Sequence, residues 1–151
     1  MAKFRRLSLK ELNELEKEFI EFLVINGIDA DTWVNLKNES PEKSEAIIDQ
    51  FSEVVFSSIF RKNEFIDFIS EKSIQCFHFQ NDQAVLVGVK TENSEVNFLE
   101  SSMEDLKNQE FEVYTMNKNF QKSREEEMFD LINSGARLSD GQLFKKLCLA
   151  L

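Results

Sequence analysis

Histidine, proline, glycine and cysteine are scarce in this chain: His78 and Pro41 stand alone, and four glycines and two cysteines, Cys76 and Cys148, complete the set in 151 residues. Each scarcity removes a chemistry. A histidine cluster for a metal, a paired-cysteine zinc site, a catalytic histidine with its nucleophile and a glycine-rich phosphate loop all need residues that are supplied singly or not at all. Long apolar runs are missing too; a stretch such as Phe22 to Ile25 is far too short to span a bilayer. The opening Met-Ala-Lys-Phe-Arg-Arg leads into a polar helix rather than an apolar signal core, which predicts a cytoplasmic protein. Cys76 falls in a predicted strand and Cys148 on the apolar side of a predicted helix, so two reduced, buried thiols are expected, with a disulfide as the alternative.

Apolar residues make up 42% of the chain and charged residues 30%, the composition of a globular domain rather than of a disordered or fibrous chain. Its length suits a single domain over residues 1–151, with roughly two-thirds of the unfolded surface buried. The net charge is −10, and it is uneven. Residues 1–10 carry four bases and no acid, residues 11–112 carry 23 acids against eight bases, and residues 113–151 are nearly balanced. That distribution disfavours nucleic acid, whose affinity comes mainly from lysine and arginine, and points to a basic partner or to a plain solubilising surface.

Four segments open with a serine followed three residues later by Glu or Gln, the pattern of a capping box: Ser8 with Glu11, Ser101 with Glu104, Ser123 with Glu126 and Ser139 with Gln142. The first predicts a helix whose apolar stripe runs through Leu12, Leu15, Phe19, Phe22 and Leu23 and ends at Gly27. A short helical turn starting at Asp29 carries Trp33 and Leu36. Ser40 and Pro41 then open a longer helix, with Ile47, Ile48, Phe51, Val54, Val55 and Ile59 at three-and-four spacing, that stops near Lys62. Beyond it the pattern turns to strands around Phe65 and Ile66, over Ile74 to Gln80 and over Ala84 to Val89, the last two joined as a hairpin through Asn81-Asp82-Gln83. Residues 91–100 read as a loop with a short strand near Val96 to Leu99. A short helix over Ser102 to Asn108 and a fourth strand over Phe111 to Met116 follow. Helices over Arg124 to Asn133 and after Ser139 complete the chain. The order predicts an α+β fold, a small, mostly antiparallel sheet of about four strands covered by N- and C-terminal helices. Fifteen phenylalanines against one tyrosine and one tryptophan make its core dry.

Candidate chemistry is sparse. Cys76 and His78 share a strand face, yet residues two apart on a strand lie roughly 6.5 Å apart at Cα, too far for a direct nucleophilic pair. Glu110 and Glu112 share another face, and with Asp67 they could hold a metal in a small carboxylate-dependent hydrolase or nuclease. Glu125 to Glu127 suit a helix start. Ser139-Asp140-Gly141 lacks the flanking glycines and the histidine of a nucleophile elbow and reads as a helix cap. No catalytic residue, metal ligand or cofactor is assigned.

The segments Lys3-Phe4-Arg5-Arg6-Leu7, Phe22 to Ala30 and Leu138 to Leu147 resemble those of an uncharacterised family of short, acidic bacterial cytoplasmic proteins with no assigned function. The resemblance spans nearly the whole chain and implies no activity, cofactor or site residue. From the residues, the leading expectation is a non-enzymatic interaction module whose acidic surface, with Glu14, Glu18 and Glu21 as candidates, engages a basic protein or the protein part of a larger assembly, in the manner of an immunity or antitoxin-like protein. Trp33 is either core or contact surface. The competing expectation is the metal-dependent hydrolase, and a third is a weak anion or RNA patch from the basic ends.

Overall fold

A computed structural model describes residues 4–100 and 111–151. The predicted helix over 102–108, the Ser101 capping box and Glu110 lie outside the described residues. The chain divides into two compact units, residues 1–59 and 60–151.

The first unit is helical. Helix α1 (Leu9–Glu14) opens on a full capping box: Ser8 Oγ accepts from the Glu11 N–H, and the Glu11 carboxylate accepts from the Ser8 N–H at 2.9 Å. The continuous helix expected to Gly27 is interrupted at Leu15 (φ −105°, ψ 24°), where α2 (Glu16–Ile25) begins; no sequence feature explains the break. Gly27, with φ 75°, closes α2 in a Schellman turn in which the Ile28 N–H reaches the Leu23 carbonyl at 2.8 Å and the Gly27 N–H reaches Val24. Asp29 caps α3 (Ala30–Glu39), which is a full ten-residue helix rather than the short turn expected. Helix α4 (Pro41–Lys62) has its proline in the first position and stops where predicted. Its Ser52 is fully buried, donating to the Ile48 carbonyl and accepting from the Leu7 N–H at 2.9 Å, which anchors the segment leading into α1.

The second unit is an α+β layer structure. Strands β1 (Phe65–Ile69), β2 (Ser73–Phe79), β3 (Gln83–Lys90) and β4 (Glu112–Asn119) form an antiparallel meander, and β5 (Arg137–Ser139) adds to the free side of β1, giving the order β4-β3-β2-β1-β5. The sheet thus has five strands rather than about four. The fifth escapes the sequence pattern because it is three residues long with one apolar side chain, Leu138. The expected strand near Val96 is instead a looped segment whose Val96 and Phe98 are buried.

Both faces of the inner strands are covered, as the unbroken Val85-Leu86-Val87 run predicts. One face carries Ile74, Cys76, Val87 and Val89, sealed by Val96, Phe98 and helix α6 (Gln142–Cys148) through Leu147 and the half-buried Leu143 and Phe144. The other carries Ile66, Phe77, Phe79 and Leu86. Helix α5 (Arg124–Asn133) spans the residues predicted for it, with Ser123 accepting from the Glu126 N–H. Helix α6 corrects the expected Ser139 box. Its N-cap is Gly141, while Ser139 ends β5 and accepts from the Gly141 N–H, and Asp140 accepts from the Gln142 N–H.

Candidate functional site

An apolar opening of the helical unit lies among α1, α2 and α3. The break at Leu15 and the turn at Gly27 place α1 and α3 on one side of α2, and a groove of about 490 Å³ runs along positions 16, 19, 20, 23 and 24 of α2. That spacing is the helical period, so one face of α2 lines the groove. Leu23 is buried there, whereas Ile20 is 51% and Val24 65% exposed; Leu9 and Val34 are exposed beside them. Burying such side chains would stabilise by about 1.5–3 kcal/mol each, so this surface is an exposed apolar patch that the helical unit itself leaves uncovered.

Aromatic packing sets the shape of that groove. The Phe19 ring meets Trp33 edge-on at 5.2 Å and Phe51 of α4 at 5.0 Å, and Phe22 packs on Phe51 at 5.4 Å. Trp33 is half-buried, packed against Phe19, and forms part of the groove wall. Lys37 reaches over its ring at 6.0 Å. Residues 9–39 hold eight acids against three bases, so the groove lies in an acidic stretch.

The candidate acids fall differently. Glu14 ends α1, and Glu18 and Glu21 are exposed on α2, turned away from the groove-lining positions by the helical period. None of the three forms an ion pair among the described residues. Glu16, whose position on the groove face has no signature in the sequence beyond its helical spacing, lines the groove. The acids that do pair lie earlier and later: Arg5 clasps Glu11 at 2.8 Å, and Arg6 clasps Asp49 at 2.7 Å. The Arg5 hydrogen bond, with the Ser8 N–H, holds the Glu11 carboxyl down to about 2.

In the second unit, Cys76 and His78 share a face, as their spacing requires, but they do different things. Cys76 is fully buried, and burial, reinforced by the neighbouring Asp67 carboxylate, pushes its thiol far above its ordinary range. His78 stacks on Phe65 at 4.5 Å and meets Phe144 edge-on. Asp67 on β1 pairs with Cys76 on β2, while Glu112 pairs with Lys90 on the far side of β3. Two strands separate β1 from β4, so the sheet does not bring Asp67 and Glu112 together. Among the described residues no three His, Cys, Asp or Glu side chains gather as a metal site. Glu127 is buried at the start of α5, where it accepts from the Gln121 and Lys122 N–H groups; burial raises its carboxyl, and these bonds with Lys118 outweigh it and lower it overall.

No helix among the described residues is long and apolar enough to cross a membrane. No curated protein and no solved structure matches the chain. A sequence profile does, over residues 1–151, and by that match the chain belongs to a family of unknown function, DUF6495.

Proposed function

We propose that this protein is a non-enzymatic interaction module whose helical unit receives a basic, amphipathic segment of a partner protein. The observation that carries the reading is the α1–α3 groove. It is mostly apolar with Glu16, Asp29 and Lys37 among its lining, leaves Ile20, Val24 and Val34 exposed, and lies within a stretch where acids outnumber bases eight to three. An amphipathic helix lays its apolar face into such a groove through anchors spaced three and four residues apart, and flanking lysines or arginines meet the acids. Those charges raise the association rate and set partner choice more than they add affinity. Glu16 acts at the groove itself, and Glu14, Glu18 and Glu21 act as a steering field on the outer side of α1 and α2. A basic nuclease neutralised in the manner of an immunity protein is the specific form of the reading. Its compartment is the cytoplasm, a view supported by two cysteines that form no bridge.

The test is capture by the tagged full chain from native cytosol, washed at low and then at high salt. One stoichiometric partner released by salt, and captured less well by the triple variant Glu14→Gln, Glu18→Gln, Glu21→Gln, supports the reading. Capture indifferent to both salt and these acids contradicts it.

A further inference from the structure

We propose that the second unit binds a small zwitterion with an apolar body, an apolar amino acid or a short apolar peptide, in the pocket between β1, β5 and α6. The pocket has a volume of about 580 Å³ and is bordered by Asp67, Arg137, Asp140 and Lys146, with Phe98 and Leu143 among its apolar walls. Its size falls in the range of small-ligand sites. Asp67 is 5% exposed with its carboxylate beside the Cys76 thiol, and its Oδ1 is buried with no hydrogen-bond partner among the described residues. A buried carboxylate oxygen without a donor costs free energy, and a site tolerates that cost where a ligand supplies the donor.

Sheet register places the complementary charge. Asp67 lies directly opposite Arg137 across the β1–β5 pair, so both side chains leave the sheet on the same face, the one covered by α6. Arg137 and Lys146 are exposed and form no ion pair among the described residues. Asp140 is exposed and accepts from the Gln142 N–H through Oδ1, whereas Asp67 is buried, so Asp67 is the acid of the pocket whose oxygen lacks a donor. Two acids against two bases make the pocket neutral. A lone anion would satisfy Arg137 and Lys146 and leave Asp67 unpaired; a lone cation would do the reverse. A molecule carrying an ammonium and a carboxylate satisfies both, and its apolar body meets Phe98 and Leu143.

Calorimetric titration of the full chain with leucine, phenylalanine and the dipeptide Leu-Leu tests this, beside 4-methylpentanoate, which lacks the ammonium, and 3-methylbutylamine, which lacks the carboxylate. At least one zwitterion should bind, the single-charge analogues should bind at least tenfold more weakly, and the three zwitterions distinguish a free amino acid from a peptide. Arg137→Gln, a surface change, should weaken the zwitterion tenfold or more and leave the amine untouched; Asp67→Asn should weaken zwitterion and amine alike. Should Asp67→Asn fail to fold, Arg137→Gln and Lys146→Gln decide the matter alone. No binding of any zwitterion up to about 10 mM, or binding that both surface variants leave unchanged, overturns the proposal.

Discussion

Arg124 shows how much one side chain can hold that its sequence context does not announce. It reads as the first residue of a helix, yet its guanidinium donates to the carbonyls of Phe60 and Asn63 at 2.8 Å, Gln80 at 3.1 Å and Phe79 at 3.2 Å. These carbonyls end α4, begin the link to β1 and close the β2–β3 hairpin. A planar fork with five donors can serve four acceptors at once, and a lysine cannot. Arg124→Met should therefore destabilise the protein by about 2–4 kcal/mol, measured by chemical denaturation, and Arg124→Lys should recover little of that. Ser52→Ala is the helical unit's counterpart: it leaves the buried Leu7 N–H without its acceptor and should cost about 1–3 kcal/mol. Gly141 has φ 83°, and a Cβ there would lie 2.6 Å from the Phe65 ring, so Gly141→Ala combines backbone strain with a clash and should lower the melting temperature. The Glu11 carboxyl gives a pH signature. It titrates near 2 in the folded protein and near 4.3 when unfolded, so its contribution is complete above the unfolded value and is lost as pH falls through about 2. The melting-temperature gap between wild type and Glu11→Gln should be full at pH 6 and should close as pH approaches 2.

Elements with a strong local signal were legible in the sequence. Helix α4 follows from Pro41 and an apolar stripe at helical spacing, α5 from the Ser123 cap, and the β2–β3 hairpin from two β-rich runs around a polar turn. The misreadings fall where the signal is short or is settled by tertiary packing. Strand β5 has one apolar residue in three, and the Ser139 hydroxyl serves the turn before α6 rather than the helix start. Trp33 stands out in the sequence as the chain's one tryptophan; the groove it lines does not, because that depends on how α1, α2 and α3 pack. The Asp67–Arg137 juxtaposition was likewise hidden, since the two residues are far apart in sequence and meet only through register. Sheet position also sets local stability. Amides of β2 and β3, interior and buried on both faces, should exchange most slowly, while those on the outer edge of β4, whose side chains are mostly exposed, should exchange orders of magnitude faster by hydrogen-exchange mass spectrometry.

Across the whole molecule, charge is shared more evenly than the sequence profile suggests. The helical unit holds 12 acids and seven bases and the second unit 16 and 11, so neither alone accounts for the net −10. What distinguishes the helical unit is the coincidence of that charge with exposed apolar surface along α2, and the interaction reading rests there. Ile20→Glu changes that surface without removing a buried side chain, so the fold should survive. The most direct measurement is parallel capture from native cytosol by wild type and by Ile20→Glu of matched melting temperature, with the bound protein quantified by mass spectrometry. A basic partner retained by wild type and lost at least tenfold by the variant is the predicted result; equal retention by both would contradict the groove as the binding site.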